Sequence, residues 1–254
     1  MKIVVGNWKM DPEKISDAEK IFKGIVKEVS KTKGVEIVVC PPFLYTQHLI
    51  SKTKSKKVSF GAQDVSESQK GSHTGEISAE QLANLKVKYV IVGHSERRAL
   101  GETNEIVSRK INSALQSGLN IVLCVGEAER NGQEGDHLEF IKKELLDSLA
   151  GVDKRDLKKI VIAYEPIWAI GKSEEEAMKG EDLHIMNLFI KKVLSEKYGK
   201  DAGMKVRVIY GGSVTPANVE DLITKGHVDG VLPGRASRDP KAFGEIVKKV
   251  SEIK

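Results

Sequence analysis

The sequence predicts a (β/α)8 barrel, a closed ring of parallel strands with a helix after each. Eight short runs rich in valine and isoleucine recur along 254 residues, and segments with helical apolar spacing separate them. The runs are apolar on both faces, as strands buried in a parallel sheet must be. No Gly-rich dinucleotide fingerprint and no domain linker interrupts the pattern, so one barrel domain spanning 1–254 fits better than a doubly wound open sheet.

Each element has its own signal. KIVVGNWK from Lys2 is the first strand, and after DPEK the residues Ile15, Ala18, Phe22, Ile25, Val26 and Val29 repeat at helical spacing. EIVVCPP from Glu36 follows, with only a weak helical pattern after Pro41. VSFGAQ from Val58 leads through a long polar loop to SAEQLANL, where Ser78 with Gln81 three residues on marks a capped helix start. YVIVGHSE from Tyr89, NIVLCVGE from Asn120 and KIVIAYEP from Lys159 precede helical patterns at 102–116, 136–149 and 181–198. KVRVIYGGS from Lys205 and VDGVLPGRAS from Val228 precede those at 217–224 and 240–250.

Composition excludes several classes. The chain is 40% hydrophobic and 30% charged, enough to bury a core and keep a wet surface. No apolar run approaches the roughly 20 residues that cross a bilayer, and the first residues lack the apolar centre of a secretory signal. Two cysteines, Cys40 and Cys124, make no disulfide framework and fit a reduced, cytoplasmic protein. The net charge of +5 comes from scattered lysines. Their densest run, SKTKSKK from Ser51, has no interleaved aromatics and reads as a solvated loop, not a nucleic-acid surface. The bias suits a small anionic substrate.

Barrel chemistry sits where the strands end. Those ends carry Asn7 and Lys9, Gln63, His94 with Ser95 and Glu96, Glu127, Glu165, Gly211-Gly212-Ser213 and Gly234-Arg235. A rim carboxylate is often only a hydrogen-bonded surface group. Glu165 differs because Tyr164, Ile167, Trp168 and Ile170 can wall it from water, which makes a carboxylate a better base near neutrality. His94 ends a strand and opens a helix, where the dipole favours neutral imidazole. No histidine or cysteine spacing suggests a metal site, so His94 reads as a proton donor to a carbonyl. Lys9 is either a rim lysine paired with a carboxylate such as Glu96 or a fixed cation for a phosphate or oxyanion. The glycine clusters after the last two strands suit a phosphate held on backbone N–H groups. The GKS at 171–173 is no phosphate loop, because Pro166 stands where that motif needs glycine.

Together GNWKM, VIVGHSERR, CVGE, AYEPIWAIG, YGGSVTPANV and DGVLPGRAS resemble the triosephosphate isomerase family, in the family's order and over nearly the full chain. The resemblance implies interconversion of dihydroxyacetone phosphate and D-glyceraldehyde 3-phosphate through an enediolate, in glycolysis and gluconeogenesis, with no metal and no cofactor. It implies Glu165 as base, neutral His94 as electrophile, Lys9 as electrostatic stabiliser, Asn7 as a hydrogen-bond partner of the substrate and Glu96 as the group that holds Lys9 or the helix start in place. The N–H groups of Gly171, Ser213, Gly234 and Arg235 would cradle the phosphate, and Ile170 and Leu232 would close over Glu165.

Three departures qualify the resemblance. The lid after the sixth strand keeps Pro166-Ile167-Trp168 and Gly171, but the usual Gly-Thr-Gly-Lys-Thr-Ala becomes Gly-Lys-Ser-Glu-Glu-Glu over 171–176. A competent lid with altered closing kinetics is expected. Arg235 stands where glycine is usual, and its side chain is expected to turn outward to a carboxylate. AQDVSESQKGSHTGEIS resembles the loop that docks beside the partner's active site, with His73 and Asp64 replacing more usual Phe and Asn. A homodimer is expected, with Thr74 approaching the partner copy's Asn7 and Lys9. An aldolase on the same barrel would need a desolvated lysine, for which Lys9 is a poor candidate. A phosphate-binding barrel with a degenerate lid is the other alternative, and nothing speaks for a scaffold.

Overall fold

Eight parallel strands pair in chain order and close on themselves: β1 (Lys2–Asn7), β2 (Val35–Cys40), β3 (Val58–Ala62), β4 (Tyr89–Val92), β5 (Asn120–Val125), β6 (Ile160–Tyr164), β7 (Arg207–Tyr210) and β8 (Gly230–Val231). The ring is closed by the two-residue β8, which aligns Ile3 with Gly230 and Tyr210 with Val231. The computed structural model describes residues 1–130, 135–170 and 178–253.

Side chains alternate across the strands, and this alternation aims the site. Ile3 and Val5, Val38 and Cys40, Tyr89 and Ile91, Val122 and Cys124, Val161 and Ala163, and Ile209 fill the barrel interior. Their neighbours Val4, Ile37, Val39, Leu123, Ile162 and Tyr164 belong to the larger core under the helices. Continuing each inward series by two residues puts Asn7, Gly126, Glu165 and Gly211 at the C-terminal mouth. At the other end Arg207 donates to Glu36 at 2.8 Å and to the Tyr89 hydroxyl at 3.2 Å, a paired polar plug inside the ring.

The helical layer comprises α1 (Ile15–Glu28), α2 (Phe43–Lys52), α3 (Ala79–Asn84), α4 (Ser95–Ala99), α5 (Asn104–Gln116), α6 (Asp136–Ser148), α7 (Gly180–Tyr198), α8 (Lys200–Lys205), α9 (Val219–Thr224) and α10 (Pro240–Glu252). The capping box at Ser78 and Gln81 is formed in both directions. The weak pattern after Pro41 is a full helix, α2. The pattern at 102–116 starts at Asn104, because Thr103 caps it and accepts from the Ile106 N–H. Two helices are not signalled by apolar spacing. In α4 no residue is buried, and in α8 only Gly203 is, so neither shows a periodic face.

Candidate active site

Glu165 follows β6 and points into the barrel mouth, 1% exposed. Its backbone N–H bonds the Val125 carbonyl at 2.8 Å, and its carbonyl is approached by Gly126 on the neighbouring strand end. A Cβ on Gly126 would lie 1.8 Å from that carbonyl oxygen, and a Cβ on Gly211 would lie 2.6 Å from Glu165 Cγ. The two glycines flanking Glu165 at inward positions are therefore the room it occupies. Glu165 Oε2 accepts from the Ser95 N–H at 3.3 Å. Among the described residues Oε1 has no hydrogen-bond partner; it is buried and lies 3.4 Å from His94 Nε2.

His94 caps α4, and its Nδ1 accepts from the Glu96 N–H at 3.2 Å. A nitrogen that accepts a backbone N–H carries no proton, so the ring proton of neutral His94 resides on Nε2, facing Glu165 and the cavity. An imidazolium here would forfeit that bond.

Lys9 adopts φ +56, a left-handed backbone uncommon for lysine. The turn is held from three directions. Lys9 N–H donates to Asn7 Oδ1 at 2.9 Å, and Gln63 Nε2 donates to the Lys9 carbonyl at 2.8 Å and the Cys40 carbonyl at 2.9 Å. The Lys9 ammonium pairs with Glu96 at 2.5 Å. Gln63, read only as a strand end in the sequence, is thus the clamp on the Lys9 backbone.

One cavity of ≈520 Å³ is lined by Asn7, Lys9, His94 and Glu165 on one side and by Gly211, Gly212, Ser213, Gly234 and Arg235 on the other, with Ile170 and Leu232 among its walls. Buried Ser237 ties the 234–238 turn to the end of β1: its hydroxyl lies 3.2 Å from the Asn7 carbonyl as donor, and its carbonyl accepts from Nε1 of Trp8, just past the strand. Glu96 lies beside this space, in the lining of an adjoining cavity of ≈340 Å³. Gly171 and the altered lid segment 172–176 lie outside the described residues.

Two expectations need correction. Trp168 and Tyr164 do not wall Glu165. Tyr164 sits one residue out of the inward series, so its hydroxyl donates to Glu127, at 2.8 and 3.0 Å from the two oxygens. Trp168 Nε1 donates to Glu127 Oε1 at 2.9 Å, and Ile167 is 37% exposed. Nor does Arg235 pair with a carboxylate: it is exposed at the edge of the cavity, and among the described residues its side chain has no ion-pair or hydrogen-bond partner.

Glu127, noted in the sequence only as a strand end, organises the segment that follows β6. It is 2% exposed and gathers Tyr164, Trp168 and Arg130, whose guanidinium also lies over the Trp168 ring. Behind it Glu144 accepts from the Gly126 N–H at 2.8 Å and pairs with Arg98 at 3.3 Å. Burial pushes the Glu144 carboxyl up from its usual 4.5 to about 7, against the opposing pull of Arg98 and the N–H. A carboxyl with a raised folded-state pKa stabilises the fold when protonated, and that contribution fades as pH climbs from about 4.5 to about 7. The stability advantage of the parent over Glu144→Gln should therefore shrink between pH 5 and pH 7.5, as read by thermal melts. A gap that widens over that range would contradict the assignment.

Among the described residues no group of three or more His, Cys, Asp or Glu side chains is placed to hold a metal ion. Fold and rim define a (β/α)8 barrel enzyme with a buried carboxylate–imidazole pair and a cavity at the C-terminal strand ends. The chain belongs to the triosephosphate isomerase family, whose model matches residues 2–250. Triosephosphate isomerase of Dictyoglomus thermophilum is 40% identical over 248 residues, covering 97% of this chain and 98% of that protein. Those of Dictyoglomus turgidum and Thermoanaerobacter pseudethanolicus are each 39% identical, over 97% and 96% of this chain and 98% of either protein.

Proposed function

We propose that this chain, as one catalytic domain, interconverts dihydroxyacetone phosphate and D-glyceraldehyde 3-phosphate by proton transfer through an enediolate, a step of glycolysis and gluconeogenesis. The observation that carries the mechanism is Glu165 Oε1, buried, unpartnered and 3.4 Å from His94 Nε2. Glu165 takes the C1 proton of the ketone. The C–H electrons form the C1–C2 double bond, and the carbonyl π pair moves to O2. His94 Nε2–H hydrogen-bonds that oxygen as charge grows there, and then passes protons between O1 and O2. Glu165 returns its proton to C2, giving the aldehyde. Asn7 orients the substrate, and Lys9 offers its charge to the developing oxyanion and the phosphate once the anion competes with Glu96. The N–H groups of Gly171, Ser213, Gly234 and Arg235 receive the phosphate. Closure over Ile170 and Leu232 keeps water from the enediolate.

The salt-bridged state of Lys9 suits electrostatic work better than Schiff-base chemistry, which needs a neutral amine. The test is turnover of D-glyceraldehyde 3-phosphate by pure protein, coupled to reduction of the ketone product. A protein that binds a phosphate-bearing enediolate mimic yet turns nothing over would fit the phosphate-binding barrel instead.

The working unit is a homodimer in this reading. Thr74 lies on an exposed loop, and Met10 and Leu100, 94% and 79% exposed, line the ≈340 Å³ cavity beside Lys9. The Thr74 loop of a second copy would fill that cavity and cover those side chains. Asp64, at the root of the loop, joins Arg97, Glu102 and Lys110 in a cluster of two carboxylates and two cations, which anchors the loop's base. Sedimentation should give a dimer at micromolar protein, and an active monomer there would refute it. A cytoplasmic setting accords with two buried free thiols, Cys40 and Cys124, and no described helix is long and apolar enough to cross a membrane.

A further inference from the structure

Three cations, Lys9, Arg235 and Arg238, and two carboxylates, Glu165 and Asp239, line the main cavity. Lys9 is neutralised by Glu96 at 2.5 Å. Arg238 is neutralised by an ion pair with Asp11. Asp239 spends its carboxylate on the Lys241 and Ala242 N–H groups, at 2.8 and 3.1 Å, as the cap of α10. Arg235 alone among the cations lining this cavity has no partner among the described residues.

Its position matters as much as its charge. Arg235 directly follows Gly234, whose would-be Cβ lies 3.4 Å from Lys9 Cε, so the Lys9 stem and the Arg235 backbone meet at one wall of the cavity. The turn carrying Arg235 is fixed, because buried Ser237 bonds it to β1. A guanidinium rooted there reaches the same end of the cavity as the Ser213 and Gly234 backbone. Its planar fork can meet two phosphate oxygens at once, which a lysine ammonium cannot do.

We propose that the Arg235 side chain is a specificity-determining cation of the phosphate end, pairing directly with the substrate's phosphate dianion in addition to the N–H cradle. The inference rests on the phosphate-end reading of the site given above. It has two consequences. Part of the affinity for the phosphate is a charge pair and falls with ionic strength, since a rim cation is screened within about 10 Å at 0.1 M salt. The site is also open to competing dianions, so inorganic phosphate and sulfate inhibit by occupying this end.

The experiment is calorimetric titration of the full-length protein with inorganic phosphate at low and high ionic strength. Arg235→Gln keeps a Cβ and removes the charge, and Arg235→Lys restores charge without the fork. Arg235→Gln should bind phosphate about tenfold more weakly than the parent at low salt, with a shallower salt dependence, and Arg235→Lys should recover part of the loss. In steady state the loss should fall on KM for D-glyceraldehyde 3-phosphate more than on kcat. Arg235→Gln binding phosphate within about twofold of the parent at both ionic strengths would overturn the proposal. A parent that turns the triose over but shows that result loses the role of Arg235 alone. A parent that turns nothing over, yet binds phosphate through Arg235, keeps that role and loses the isomerase reading.

Discussion

Glu165→Gln should lower kcat/KM by about a thousandfold or more, while the circular dichroism spectrum and melting temperature stay near those of the parent. The amide has the carboxylate's shape, so it fits the space left by Gly126 and Gly211 and can still accept from the Ser95 N–H. It cannot take a proton from carbon. The loss should appear in kcat, because the phosphate is held by other groups. A variant that keeps a tenth of the parent's turnover would remove Glu165 as the base. The other carboxylates around the site are committed, Glu127 to Tyr164, Trp168 and Arg130, Glu96 to Lys9 and Asp239 to the start of α10.

Gly126→Ala should be the most damaging single methyl in the molecule's functional half. The new Cβ would lie 1.8 Å from the Glu165 carbonyl oxygen and 2.5 Å from its carbon. Neither strand end can yield, because the Glu165 N–H is bonded to Val125 and the Gly211 N–H to the Tyr164 carbonyl, each at 2.8 Å. Relief requires breaking the β5–β6 register at the mouth, and the Gly126 N–H bond to Glu144 with it. The expected cost exceeds about 4 kcal/mol. In a domain of this size that lowers the melting temperature by about 10 °C or abolishes soluble protein. A Gly126→Ala protein that melts within about 3 °C of the parent would show that the strand ends shift freely, and the rigid placement of Glu165 would have to be given up. Any activity it retained would bear on the same point, since Glu165, the proposed base, directly follows the displaced strand.

Much of the site was legible because two regularities project directly onto the chain. Each apolar run has a defined polar end, so Asn7 and Glu165 could be placed at the rim from the chain alone, although a strand apolar on both faces does not say which residues point inward. Strand ends followed by glycine marked the phosphate end in the same way. Glu127 and Gln63 were visible at their strand ends but without roles, since those depend on partners far along the chain: Trp168 for one, the Lys9 and Cys40 carbonyls for the other. Nothing in the local sequence announces a hydrogen bond between strands that meet only when the ring closes. Arg235 failed for a related reason. An outward turn toward a carboxylate was a reasonable expectation for a charged side chain, but no carboxylate among the described residues reaches it.

The sequence by itself determined the eight strand–helix units, the family, and the identity of the residues at each strand end, because hydrophobic periodicity and short motifs are local properties. The tertiary structure alone decided the protonated nitrogen of His94, the left-handed turn that aims Lys9, the clearance around Glu165 and the want of a partner for Arg235 among the described residues. Each of these is a relation between atoms on different strands, and such relations exist only once the closed barrel fixes their distances.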